Sequence, residues 1–433
     1  MAIYSIFPKN DDMHLAVTGD QSVDIRSGKR DVLVDGHVEK GFEYVREQFE
    51  RNFRERGEQG AACAIYHQGE RVVDLWGGTQ CEDSQVAWSP ETLTLCFSVT
   101  KGMAAAALAV AHSQSLFELD QTVATYWPEF AKQGKEQITV RQLLSHQAGL
   151  VTTGRPLEAD QLADQDGLAE ILQNQRPLWE PGSRHGYHTL TLGWYQSELL
   201  RRIDPLGRSI GVFFQQEIAE RLGIEFYIGL PRHISLGRLS TIQGFHRYEM
   251  LGHLHELPPM MVLSGILPNS LVSKSIRTLK INNPAEIGSE KYRHLEIPSA
   301  NGFGQAIAVA KVYEVLARGG KELGLRSETY RELIAPPTTP RDGNYDAILK
   351  MDTSYQFGFS RPSRGMPFGS DSTAFGCPGA GGSFGMADPS HRAGFAYITN
   401  KMGFRLSDDP REKAVRDAFY ECIGANAQQR QIA

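Results

Sequence analysis

The chain has 433 residues, 41% hydrophobic and 22% charged, which allows a large buried core with no disulfide staples. A net charge of −6 excludes the basic stripe of a nucleic-acid binder. The longest apolar runs, such as Met103–Ala111, fall far short of the roughly 20 residues a membrane span needs.

Residues 1–37 are polar and weakly patterned and read as an N-terminal extension. They show no basic start followed by a long apolar run, so no secretory leader is expected. From Val38 the pattern turns helical, with Phe42, Val45, Phe49 and Phe53 at spacings of three and four. Residues 61–79 carry two short β-prone runs around His67-Gln68-Gly69-Glu70, the signature of a hairpin. Thr92–Ser98 reads as a strand leading into an alanine-rich helix from Lys101 to Ser113, whose small side chains predict burial. Helical stretches follow at Val140–Ser145, Leu168–Asn174, Leu190–Arg202 and Gly211–Leu222. Residues 225–298 hold many loop signals and read as an insertion or substrate cap. Asn301 reads as the cap of a helix through Ala306–Leu316, stopped by Gly319-Gly320. Phe395–Asn400 is a strand, and Arg411–Ile423 a closing helix with Val415, Phe419 and Cys422 on one face.

This order predicts an α/β fold, an antiparallel sheet flanked by helices with an inserted, mainly helical lobe. The α/β domain takes residues 38–97 and 300–433, and the helical domain 98–299. The five cysteines are scattered and form no Cys-x-x-Cys pair, so neither a zinc knuckle nor a redox pair is indicated. A reducing, cytoplasmic setting is expected.

The chemistry centres on Ser98-Val99-Thr100-Lys101. A serine hydroxyl needs a base to become a nucleophile. Positions i and i+3 share a helix face, and in a dry site the lysine amine loses its proton near neutral pH. Alone, the motif is weak and fits better a helix-capping serine followed by a solvated lysine. Five ordered segments decide the matter: SVTKGMAAAAL, LDQTVATYWPEF, ITVRQLLSHQAGL, WEPGSRHGYHTLTLGW and FGCPGAGGSFGMADP. Together they resemble the serine β-lactamase-like superfamily, most of all its class C-related family VIII-type carboxylesterases, from about residue 40 to 425.

The resemblance implies that Ser98 is the acylated nucleophile, Lys101 its base, and Tyr187 a proton shuttle. Thr189 stands where the family often has a substrate-contacting asparagine. The third family motif, Lys-Thr-Gly or its esterase variants, is matched by Cys377-Pro378-Gly379. Gly379 would let substrate approach the strand backbone, and the N–H groups of Ser98 and Ala380 would form the oxyanion hole. Cys377 and Pro378 offer no cation or hydroxyl to hold a substrate carboxylate, which favours a small neutral ester over a β-lactam. No cofactor or metal is implied. The same residues also suit a β-lactamase, a peptidase or an acyltransferase, and an inert serine would mean a binding protein on the same fold.

Three rival sites are weaker. Gly381-Gly382-Ser383-Phe384-Gly385 fits a nucleophile elbow, but glycines precede it and Asp388-Pro389 and His391 follow too closely for a Ser–acid–His order. His246, His253 and His255 lack the acidic or cysteine partners of a metal site. His146 reads as a loop-ordering residue, and no phosphate-binding glycine loop is present.

Overall fold

The computed structural model describes residues 32–82, 86–244 and 252–432, with side chains to residue 425. Its main sheet has eight strands, all antiparallel: β1 (Val34–Val38), β2 (Gly60–His67), β3 (Glu70–Gly78), β7 (Tyr355–Gln356), β8 (Phe359–Ser360), β9 (Phe375–Pro378), β10 (Phe384–Asp388) and β11 (Ala393–Thr399). They lie in the order β1-β3-β2-β11-β10-β9-β8-β7. A smaller sheet places β6 (Gly302–Gly304) between β4 (Thr94–Leu95) and β5 (Phe226–Ile228). The helices that matter below are α1 (Glu43–Glu55), α2 (Val99–Ser113), α3 (Thr191–Ile203), α4 (Pro259–Ile266), α5 (Leu271–Ile276), α6 (Ala306–Ala317) and α7 (Pro410–Ile432).

The two ends of the chain share the main sheet. β2 pairs with β11 along its whole length, from Ala61 opposite Thr399 to Ala393 opposite His67. One sheet face buries Cys63, Ile65, Leu75, Phe395 and Tyr397 under Val45 and Phe49 of α1 and Val415 and Phe419 of α7. The other buries Ala64, Ala387 and Ala396 under α6 and α2. β11 is therefore covered on both sides and buried at every position, which explains its unbroken apolar run. Gly394 marks how closely α6 approaches: a Cβ there would stand 2.3 Å from the backbone of both Ala310 and Glu314.

Three expectations change. Residues 34–38 form edge strand β1 on β3 rather than an extension, and the helix after them begins at Glu43. Residues 1–31 lie outside the described residues. Asn301 caps no helix: strand β6 follows it, and its amide accepts from Ile297 N (2.8 Å) and donates to the Tyr292 and Leu295 carbonyls. Its local sequence looks like a helix start because α6 does begin five residues on. Finally, 225–298 is not wholly an insertion, since β5 joins the small sheet that leads into Ser98.

Gly394→Ala should cost about 1–3 kcal/mol by overpacking α6 against β11. Urea unfolding followed by circular dichroism reads this, and an unchanged midpoint would refute the close approach.

Candidate active site

Ser98 is presented by a strained turn. Phe97, just before it, has φ of 45°, a left-handed conformation costly for a bulky aromatic residue. Thr100 holds that turn in place. Its hydroxyl donates to the Phe97 carbonyl (2.5 Å) and accepts from Gly302 N on β6 (2.7 Å). Ser98 flanks the start of α2, but its side chain makes no capping bond. Lys101 is 1% exposed. The capping-serine, solvated-lysine alternative therefore fails at both residues.

The Lys101 amine reaches three acceptors: Ser98 Oγ at 3.1 Å, the Thr189 carbonyl at 2.7 Å and the Ser299 carbonyl at 2.9 Å. Burial pushes its pKa down from 10.5 to about 7. A neutral amine has two N–H bonds, which the two carbonyls take, leaving its lone pair facing Ser98 Oγ. Lys135 provides an internal comparison. It is buried too, and its amine donates to the carbonyls of Lys132, Gln173 and Gln175. With three carbonyls and no hydroxyl around it, that lysine ties loops together.

Tyr187 lies over Lys101, whose Nζ is 4.8 Å from the ring centre, and its hydroxyl shares a hydrogen bond with Ser98. Burial drives the phenol well above its ordinary pKa. Behind it sit buried histidines. His188 donates from Nδ1 to the Gly186 carbonyl (2.7 Å) and accepts at Nε2 from Leu150 N (3.0 Å). His146 Nδ1 accepts from His188 N (2.9 Å). Burial lowers both, His188 to about 3, so both stay neutral. His146 thus orders the loop, as its sequence context suggests.

Cys377, from β9, turns its thiol to the carbonyl of Ser98 (2.8 Å). Burial raises that thiol to about 11, so it is not a thiolate nucleophile. Its contact is with the peptide of Ser98 itself, where the sequence suggests a substrate contact. Gly379 also answers to the chain: a Cβ there would stand 2.7 Å from the Cys96 carbonyl, so the glycine admits the β4–α2 turn against β9. The Thr189 hydroxyl bonds Ser275 Oγ at 2.8 Å, while its carbonyl serves Lys101. Ala380 is exposed, and neither its N–H nor that of Ser98 has an acceptor among the described residues.

The rival sites dissolve. Ser383 is buried, accepts from Thr399 N (3.2 Å) and precedes strand β10 rather than a helix. His253 pairs with Glu256 and stacks on Phe404, and His246 lies outside the described residues. Among the described residues no group of three or more histidine, cysteine or acidic side chains could hold a metal ion, and all five cysteines are free.

One contributor escapes sequence reading. Asp346 is fully buried and makes no ion pair among the described residues. Its carboxylate accepts from the backbone of Tyr187 (3.2 Å), Ile348 (2.7 Å) and Leu349 (2.9 Å) and from the hydroxyls of Thr353 (3.3 Å) and Tyr355 (3.1 Å). Tyr355 in turn stacks on Tyr187 with ring centres 6.2 Å apart. Asp346 thereby fixes Tyr187 from behind, and nothing in its turn-like surroundings signals this.

An antiparallel sheet backed by helices, with a buried lysine against a serine at its margin, is the arrangement of a serine hydrolase. Known proteins agree. The Beta-lactamase family model matches residues 47–419. The chain is 30% identical over 408 residues to the esterase/beta-lactamase LipL of Mycobacterium tuberculosis, covering 90% of this chain and 87% of that protein. A crystal structure of a family VIII carboxylesterase has a TM-score of 0.79 at 31% identity, covering 90% of this chain and 100% of that one. A penicillin-binding protein homologue from Caulobacter crescentus has a TM-score of 0.76 at 34% identity, covering 90% and 99%. The chain belongs to the beta-lactamase family.

Two measurements check this geometry. The unfolded chain keeps the Lys101 proton up to about pH 10.5, the fold only up to about 7. Between those values the unfolded chain binds more protons, so stability rises with pH, by up to about 1.4 kcal/mol per unit. Lys101→Met should lack that rise, so its stability relative to wild type should fall from pH 7 to pH 10 in urea titrations. A constant difference would contradict a neutral buried amine. Asp346→Asn leaves at least one buried donor unmatched and should cost about 1.5–3 kcal/mol, with an unchanged unfolding midpoint counting against it.

Proposed function

We propose that this serine hydrolase cleaves neutral carboxylic esters, with small or short acyl groups, through an acyl-enzyme on Ser98. The observation that carries the reading is the dry Lys101 amine 3.1 Å from Ser98 Oγ, with its two N–H bonds already directed at carbonyls. Burial drives Lys101 and Tyr187 in opposite directions, each toward its neutral form. That supports the amine as the base and the phenol as a relay, two coupled groups both resting neutral.

In this scheme Ser98 Oγ attacks the ester carbonyl as Lys101 takes its proton. The N–H groups of Ser98 and Ala380 receive the oxyanion. Collapse breaks the bond to the alcohol, which leaves with a proton passed from Lys101 through Tyr187. Water then attacks the acyl carbon, giving its proton to Lys101 by the same route in reverse; the bond between the acyl group and Ser98 Oγ breaks, the carboxylic acid leaves, and Lys101 returns the proton to Ser98. The third motif supports the choice of substrate. A thiol bound to the Ser98 carbonyl and a proline leave no cation there for the carboxylate of a β-lactam. Of its relatives, the family VIII carboxylesterase points the same way, while the esterase/beta-lactamase is named for both activities.

A fluorophosphonate should add once, at Ser98, by intact-protein mass spectrometry with peptide mapping. Adduct formation should disappear in Ser98→Ala. Lys101→Arg, which cannot give up its proton, should lower kcat/KM on p-nitrophenyl esters by about 10²–10⁴-fold. The acid limb of kcat/KM should lie near pH 7, the value burial gives Lys101. Labelling at Ser383, or nitrocefin turned over faster than short esters, would overturn the reading.

A further inference from the structure

The segment between the Tyr187 and Cys377 motifs carries a surface that the hydrolytic site does not use. Helix α4 has no buried residue. Met260, Leu263, Ile266 and the following Leu267 are 54–72% exposed, and Ile276 on α5 is half exposed. Soluble surfaces seldom group so many large apolar side chains without a partner for them.

Along the sequence, the charges of this stretch are one-sided. Between Glu256 and Glu286 there is no acidic residue, although the chain as a whole carries −6. Lys274, Arg277 and Lys280 all fall in that interval and are exposed. Lys280 pairs with Glu158, but Lys274 and Arg277 make no ion pair among the described residues. The segment is also tied to the site. Ser275, between Lys274 and Ile276, bonds Thr189 Oγ1 (2.8 Å) and the Tyr187 carbonyl (3.4 Å). Beyond it, Leu157 N donates to the Thr278 carbonyl (2.9 Å) and Lys280 N to the Leu157 carbonyl (2.9 Å). The inner side of α5 is thus anchored, while the apolar side chains of α4 and the cations Lys274 and Arg277, unpaired among the described residues, are exposed.

We propose that residues 257–280 dock the enzyme on an anionic phospholipid surface, with Met260, Leu263, Ile266 and Leu267 entering the headgroup–acyl boundary and Lys274 and Arg277 meeting the lipid charge. An apolar helix face bordered by unpaired cations is the chemistry of interfacial binding, and its electrostatic part is screened by salt. The anchoring through Ser275 sets the docked surface beside Tyr187. The proposal does not depend on the hydrolytic reading.

Flotation of the full chain with phosphatidylglycerol-containing vesicles, against pure phosphatidylcholine vesicles, tests it. Wild type should float with the anionic vesicles and be released by high salt. Lys274→Ala and Arg277→Ala should each weaken binding about fivefold, and Leu263→Ser with Ile266→Ser should abolish it, with circular dichroism melts unchanged. Ser98→Ala should float like wild type, so loss of chemistry and loss of docking are read separately. Failure of wild type to float, or flotation indifferent to these substitutions, overturns the proposal. So does a dimer in analytical ultracentrifugation that Leu263→Ser with Ile266→Ser dissociates without vesicle binding, since the face would then belong to a second copy.

Discussion

An ammonium group taken out of water with no counter-ion is a costly object, so burial strips Lys101 toward its neutral amine, and much of the surroundings of Ser98 can be understood as the means of keeping that amine there. Lys101 is surrounded by two carbonyls, a hydroxyl and an aromatic face, all dipoles and no carboxylate. A carboxylate within reach would hold the proton on the amine and end its use as a base. The cage is drawn from two distant parts of the chain: Tyr187 and Thr189 just before α3, and Ser299 before β6. Each piece must be placed correctly for the amine to be both dry and reachable, so the fold around the site serves its electrostatics first.

The same economy shows in groups that look chemical but act mechanically. Cys377, Gly379 and Thr100 all touch the backbone near Ser98 and hold the turn that raises its hydroxyl. Phe97 keeps a disfavoured conformation only because these neighbours over-determine it. Asp346 does for Tyr187 what Thr100 does for Ser98, by collecting backbone donors from two segments into one buried carboxylate. Lys135 shows that an amine among carbonyls is by itself a structural device. The hydroxyl in place of a third carbonyl makes the difference at Lys101.

What could be read from the sequence follows from how local each signal is. The hairpin β2–β3, the alanine-rich α2 and the apolar stripe of α7 are written in periodicity, and the structure has them. Ser98 and Lys101 were legible because three residues on a helix is a local distance. Tyr187 was legible only through the order of five segments. Asp346 acts on Tyr187 across 159 residues and Ser299 on Lys101 across 198, and such pairings leave no mark in either neighbourhood. Asn301 failed for a related reason, and the approach of Cys96 to Gly379 went unseen for the same one. Sequence shows that a glycine admits something close, or that an asparagine bonds backbone, but not which partner comes. β1 and β4 were short enough for neighbouring patterns to hide their boundaries.

The pairing of β2 with β11 also governs how the molecule comes into being. β2 is synthesised early, yet its partner on one side arrives more than three hundred residues later. Until then the hairpin β2–β3 has an open edge and a greasy face with nothing to cover it. α2 can form soon after its synthesis, but its seat on β9 waits for the same late strands. A nascent or truncated chain therefore holds the serine and lysine long before it holds their cage. The reactivity proposed for Ser98 would therefore wait until the final segments close the sheet, and an interrupted chain would carry open, aggregation-prone surface.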